Sequence, residues 1–236
     1  MFLLDVLPEM PHNNFYIRMI RRVNVKQDKI LDEILKSDIE KIEATLCEID
    51  REAFANAVET IVKARRVYVI GIRNCAPLAE VLSSYLNLLC DHVVKIESSG
   101  SSEVFEQLMR INEKDVIIGI SFPRYSMRTI KALEFASSRQ AKVITLTDSI
   151  NSPVNLYSSC NLIAKSEMSS IVDSLVAPLS VINALVMALY MKKKKKVINS
   201  LEELEQIWNE YQVYEQDELN PASHELYFKH IEKEEE

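Results

Sequence analysis

Six apolar residues, Leu31, Leu35, Ile39, Ile42, Leu46 and Ile49, recur at spacings of 4, 4, 3, 4 and 3. That rhythm lays them along one side of a helix over 28–49, with Glu and Lys filling the other side. The stripe is too short for a free coiled coil. It either docks the helix on the main domain, the first expectation, or makes it a connector that also packs against a second subunit. Asp50 then offers an N-cap to a second helix over 51–64, with Phe54, Ala57, Val58 and Ile61 facing inward.

From residue 66 the period changes. Short β-branched runs, VYVIG (67–71), HVVKI (92–96), DVIIGIS (115–121), KVITLT (142–147) and NLIA (161–164), alternate with helical stretches over 76–90, 102–111 and 126–139 and a short turn at 153–157. Continuous apolar strands separated by helices predict an α/β fold: a five-stranded parallel sheet in a three-layer α-β-α, flavodoxin-like arrangement. The apolar segment 171–191, followed by five lysines (192–196), has the length of a membrane span, but Asp173, Pro178 and Asn183 interrupt it. A buried closing helix is expected instead, with the lysines at its negative C-terminal end. A further helix over 200–212 precedes an acidic tail. The expected organisation is an irregular segment 1–27, a helical connector 28–65, the sheet domain 66–196 and a C-terminal helix with tail 197–236.

Composition narrows the chemistry. The 236 residues include three glycines, Gly71, Gly100 and Gly119, where ordinary usage would give roughly 16. A P-loop or a G-x-G-x-x-G nucleotide fingerprint needs several within a few residues, so both are excluded. Residues 66–191 balance eleven basic against eleven acidic side chains, which leaves this block without the basic face of a duplex reader. Cys47, Cys75, Cys90 and Cys160 form no C-x-x-C pair, and the four histidines have no metal-binding spacing. No metal or cofactor is expected. The first residues, MFLLDVLPEM, lack a basic n-region, so no signal peptide is read there and the cytoplasm is the expected compartment.

The carboxyl ends of the five strands carry the distinctive residues. GIRNCAP follows the first, ESSGSSE the second, SFPRYSMRT the third and TDSINSP the fourth. Ligands of parallel sheets bind outside these ends. Hydroxyls, arginines and the free N–H groups of helix N-termini there suit an anionic oxygen cluster such as a phosphate monoester, or a polyol. Serines ahead of helices also act as ordinary N-caps. The candidate ligand residues are Arg73, Asn74, Cys75, Ser98, Ser99, Ser101, Ser102, Ser121, Arg124, Tyr125, Ser126, Thr147, Asp148 and Ser152.

The phrases VYVIGIRNCAPLAEVLSSYLN, DVIIGISFPRYSMRTIKALEFA, AKVITLTDSINSPV and SSIVDSLVAPLSVINALVMAL, in that order, resemble the sugar isomerase (SIS) domain, and in detail the effector domain of MurR/RpiR-type transcriptional regulators. In that family the first strand leads into G-x-G-x-S, the third into S-x-S-G-x-T and the fourth into T-D-x-x-x-S-P, and their hydroxyls hold a phosphosugar. Gly71 matches the first glycine, Arg73 replaces the second, and Cys75 takes the serine position. Ser121 and Ser126 match the first serine and the threonine of the second motif, while Pro123 and Arg124 replace its other serine and its glycine. Thr147, Asp148, Ser152 and Pro153 keep the last motif. The resemblance implies a homodimeric sensor of a phosphorylated sugar or amino sugar, without a membrane partner. It also implies a helix-turn-helix domain ahead of the connector, for which residues 1–27 offer too little length, so DNA contact is expected only through a domain outside this chain.

An aldose–ketose isomerase on the same fold is the alternative. It would need a general base beside the sugar carbonyl, and Glu97, Glu103 and Glu167 lie near the relevant edge, with Cys75 a possible nucleophile. A Glu in a helix's first turn is more often a partner of the helix dipole, and Cys75 has no histidine neighbour in sequence. A binding module without catalytic residues is therefore the expectation.

Overall fold

The computed structural model describes residues 27–97, 101–166 and 173–211. Residues 27–194 belong to one compact unit and residues from 195 onward to a second, whose described part is helical. In the first unit, strands β1 (Arg66–Gly71), β2 (Val93–Lys95), β3 (Asp115–Ile120), β4 (Lys142–Thr147) and β5 (Cys160–Ile163) form one sheet in the order β2-β1-β3-β4-β5, every pair parallel. The chain runs outward from β1 to β2 and then returns to β3 on the other side of β1. The loops after β1 and β3 therefore part company at a switch point, where an open parallel sheet leaves a crevice.

Alternation along the strands feeds two cores. Tyr68, Ile70, Ile117 and Val143 face a cluster with Val104 and Leu108 of α4 (Ser101–Leu108) and with Ile130, Leu133 and Ala136 of α5 (Met127–Ser138). Gly119 belongs to this face because a Cβ there would lie 2.8 Å from the Leu133 methyls. The intervening residues Val67, Val69, Ile118, Ile120, Ile144 and Leu146 are equally buried on the opposite side. Helix α1 (Ile30–Glu48), α2 (Arg51–Lys63), α3 (Ala76–Leu89) and α6 (Val176–Glu210) complete the described elements. Asp50 caps α2 as expected, accepting the Glu52 and Ala53 N–H groups at 2.9 and 3.0 Å.

Strand and helix limits agree with the sequence pattern to within a few residues, but two expectations are corrected. Most of the apolar stripe of α1 does not dock on the domain: Leu31, Leu35, Ile39 and Leu46 are 68%, 53%, 54% and 60% exposed, while Ile42 and Ile49 are half-buried. The helix sits down on polar residues instead. Lys41 and Thr45 are its buried positions, and Thr45 Oγ1 accepts the Lys165 N–H at 2.9 Å. The closing segment is helical and breaks within the lysines as expected, but only one of its faces is buried. Helix begins at Val176, buries Ala177, Val181, Ile182, Leu185 and Leu189 along one face, exposes Met187 and Met191, and runs on to Glu210 past a non-helical Lys193 (φ −117°). By length and composition Val176–Lys194 could cross a membrane, with a mean hydropathy of 1.3, and a third of it is buried within the fold. The lysine does find a helix C-terminus, that of α3: Lys193 Nζ donates to the Leu89 carbonyl at 3.1 Å.

Candidate functional site

Gly71 ends β1 and makes the following turn possible. A Cβ at this position would lie 2.4 Å from the Cys75 carbonyl oxygen, because residues 73–75 fold back as a 3-10 turn before α3 begins. Arg73 opens that turn with φ 58°, in the left-handed region. A residue with a Cβ is there at a steric cost of about 1–2 kcal/mol. Cys75 is buried, and burial pushes its thiol up to about 11 despite a hydrogen bond with the Phe122 backbone that pulls the other way. That bond also ties the β1 loop to the β3 loop. A protonated thiol is a poor nucleophile, and burial keeps the Cys75 thiol in that form at neutral pH.

The β3 loop repeats the device. Ser121, buried, donates its N–H to the Leu146 carbonyl at 3.1 Å and accepts the Ser126 N–H on Oγ at 3.2 Å. Between them Arg124 has φ 67°. Ser126 then caps α5 by accepting the Thr129 N–H at 3.4 Å. Both arginines thus keep a left-handed backbone that glycine would adopt more easily, and both stand just ahead of a helix. Register places the two loops side by side, since Gly71 pairs with Ile120.

Beyond β4, the Thr147 hydroxyl lies 2.9 Å from Ser152 Oγ and 3.2 Å from Asp148 Oδ1, and Tyr125 donates its hydroxyl to the same carboxylate oxygen at 2.8 Å. Burial, and then the hydrogen bond to Asp148, hold the Tyr125 phenol above its ordinary range. Tyr125, Thr147, Asp148 and Ser152 therefore form one network joining the β3 and β4 loops. Several hydroxyls named from sequence are thus engaged in shaping loops: Ser121 and Ser126 at the head of α5, Thr147 and Ser152 after β4. Ser98 and Ser99 lie outside the described residues. Ser101 is the first residue of α4, and Ser102 is exposed in its first turn.

The carboxylates considered as bases are placed differently. Glu97 is an exposed partner of Lys95 at 2.9 Å, Glu103 is exposed in the first turn of α4, and Glu167 lies outside the described residues. Asn74, in contrast, gains a partner that sequence reasoning missed: its Nδ2 donates to Asp173 Oδ2 at 3.0 Å. The available signal was a carboxylate inside an otherwise apolar run. Among the described residues an apolar groove of roughly 280 Å³ also exists, lined by Ile42, Leu46 and Ile49 together with Phe54, Ala177 and Val181.

The SIS domain family matches residues 60–188. The chain belongs to that family. This SIS chain is 28% identical over 117 residues to an uncharacterized HTH-type transcriptional regulator of Haemophilus influenzae, covering 49% of this chain and 40% of that protein. A similarly named regulator of Clostridium perfringens is 27% identical over 147 residues, covering 61% and 52%. The chain thus spans about half the length of these curated relatives. Among solved structures, the sugar isomerase domain of an RpiR transcription factor from Sphaerobacter thermophilus superposes with a TM-score of 0.72 at 28% identity, over 75% of this chain and 99% of that one. The Vibrio vulnificus NanR protein complexed with ManNAc-6P gives 0.67 at 20% identity, over 77% and 69%. A phosphoheptose isomerase from Francisella tularensis shares the SIS fold at 0.59 and 17% identity, over 71% and 100%.

Proposed function

We propose that this chain is the effector-sensing part of an RpiR-type transcriptional regulator, binding a phosphorylated sugar or amino sugar at the carboxyl edge of its sheet without transforming it. The observation that carries this reading is the pair Arg73 and Arg124, each in a left-handed backbone position at a helix head. In this reading the fixed positive charge and bidentate donors of the arginines, with the N-termini of α3 and α5, hold the phosphate. Asp148 and the hydroxyls around it are suited to the hydroxyls of the sugar. The names of the curated relatives and the ManNAc-6P complex of NanR support the same reading.

In this reading the molecule is a cytoplasmic homodimer that uses the exposed faces of α1 and α6, and DNA contact belongs to a helix-turn-helix domain beyond the sheet and its flanking helices. The shared fold of phosphosugar isomerases favours a second reading, but against it Glu97 is engaged by Lys95 and burial raises the Cys75 thiol, so neither of these two described groups is activated. A thermal-shift screen over sugar phosphates, run beside a coupled turnover assay, tests both. An effector at 100 times its Kd stabilises the fold by about 2.7 kcal/mol, and no product forms. Turnover of any sugar phosphate would replace the sensor reading by the isomerase one.

A further inference from the structure

The loop after β1 and helix α1 are joined through two consecutive residues just ahead of α6. Asn74 Nδ2 donates to Asp173 Oδ2 at 3.0 Å, and Ser174 Oγ donates to Asp38 Oδ1 on α1 at 2.6 Å. Asp38 in turn lies 3.9 Å from Lys41 Nζ, which donates to Ser37 Oγ at 2.7 Å. The pair is anchored from the sheet side by the buried Ser166, whose Oγ donates to the Ser174 carbonyl at 2.9 Å. The Asp173 charge is felt within the loop itself, where it helps to raise the Cys75 thiol. The short link 173–174 thus holds the arginine-bearing loop with one side chain and α1 with the next.

We propose that Asp173 is a latch opposed by an anionic effector, and that Ser174 and Asp38 pass its release to α1. This rests on the effector reading of the same edge. An anion drawn to Arg73 and the head of α3 brings negative charge beside the Asp173 carboxylate and competes for the Asn74 amide. Both effects weaken the Asn74–Asp173 bond. Because the coupling is reciprocal, whatever the latch costs the effector, the effector costs the latch. The first half of α1 buries no apolar stripe and relies on polar ties, Asp38 near its middle and Thr45 further along. Loss of the Ser174–Asp38 bond removes the earlier tie and loosens the helix that leads out of the domain.

The test uses the full chain, inorganic phosphate as the anion common to all sugar phosphates, binding by calorimetry, and amide hydrogen exchange. Phosphate protects residues 73–75 and 121–126 in the wild type while speeding exchange in residues 31–40. Asp173→Asn binds phosphate about three- to fivefold tighter, the effect of one exposed like charge removed, and its α1 exchanges fast even without phosphate. Ser174→Ala keeps the loop protection, also shows fast exchange in α1, and no longer responds there to phosphate. Wild-type protein that binds phosphate with α1 unchanged, or an Asp173→Asn variant that binds it no tighter, overturns the latch alone. Absence of loop protection in every variant at millimolar phosphate overturns the effector reading and the latch with it.

Discussion

At the scale of single residues, the edge of the sheet turns on three positions with different tolerances. Gly71 has no room for a Cβ against the Cys75 carbonyl, a backbone atom that cannot step aside. Gly71→Ala should lower the stability by about 1–3 kcal/mol, read as a drop in urea midpoint. Arg73 and Arg124 present the opposite case, side chains kept where glycine would be easier. Glycine there relieves the left-handed strain but loosens the unfolded chain by ~0.5–1 kcal/mol, so Arg73→Gly and Arg124→Gly should leave stability within about 1 kcal/mol of wild type. Each should nevertheless weaken binding of the sugar phosphate found in the screen by about tenfold or more, as a charge-assisted contact disappears. Equal affinity in both variants would remove the arginines from the site. Cys75 supplies a pH signature. Its folded thiol ionises at about 11 against 9.0 unexposed to the fold, so between those values the unfolded state holds fewer protons and stability falls as pH rises. Alkylation should accordingly modify exposed Cys47 first at pH 8 and reach Cys75 at a useful rate only in strong alkali.

At the scale of elements, α1 shows why a periodic stripe does not by itself say what it faces. Leu31, Leu35 and Ile39 form the regular apolar row of a docked helix, yet the helix is held by Ser174 on Asp38 and by the Lys165 N–H on Thr45. The row is left for another surface. Replacing Leu35 and Ile39 together by Lys should change the stability of the subunit by no more than about 0.5 kcal/mol per site, since exposed positions cost little. Sedimentation at micromolar concentration should show the proposed dimer in wild type and its loss in that variant; a monomeric wild type, or a dimer of unchanged strength in the variant, would clear α1 of the interface. Helix α6 has the same two-sided character. Pro178, which suggested an interruption, sits within its first turn, where a missing N–H costs nothing.

For the whole molecule, the order β2-β1-β3-β4-β5 brings the loops after β1, β3 and β4 to one edge and sets the β1 and β3 loops, with their arginines, next to each other. Attraction between that edge and an anion acts partly through solvent, so effector affinity should decline with added chloride. Affinity indifferent to salt between low and physiological ionic strength would argue for recognition through hydroxyls alone. The fold itself should be far less salt-sensitive, because its sheet is held by continuous apolar strands buried on both faces.

Sequence by itself determined the alternation of strands and helices, because β-branched runs and 3.6-residue periodicity are local properties of the chain. It also marked GIRNCAP, SFPRYSMRT and TDSINSP as the informative loops, since hydroxyls and arginines gathered at strand ends stand out without any coordinates. Tertiary structure alone decided which serines serve the backbone, because Ser121 and Ser126 spend their oxygens on N–H groups that only the folded loop brings near. It alone showed α1 seated on its polar side and Asn74 reaching Asp173 across 99 residues of sequence. Such pairings depend on where distant segments meet, and no local period of hydrophobic and polar residues encodes that.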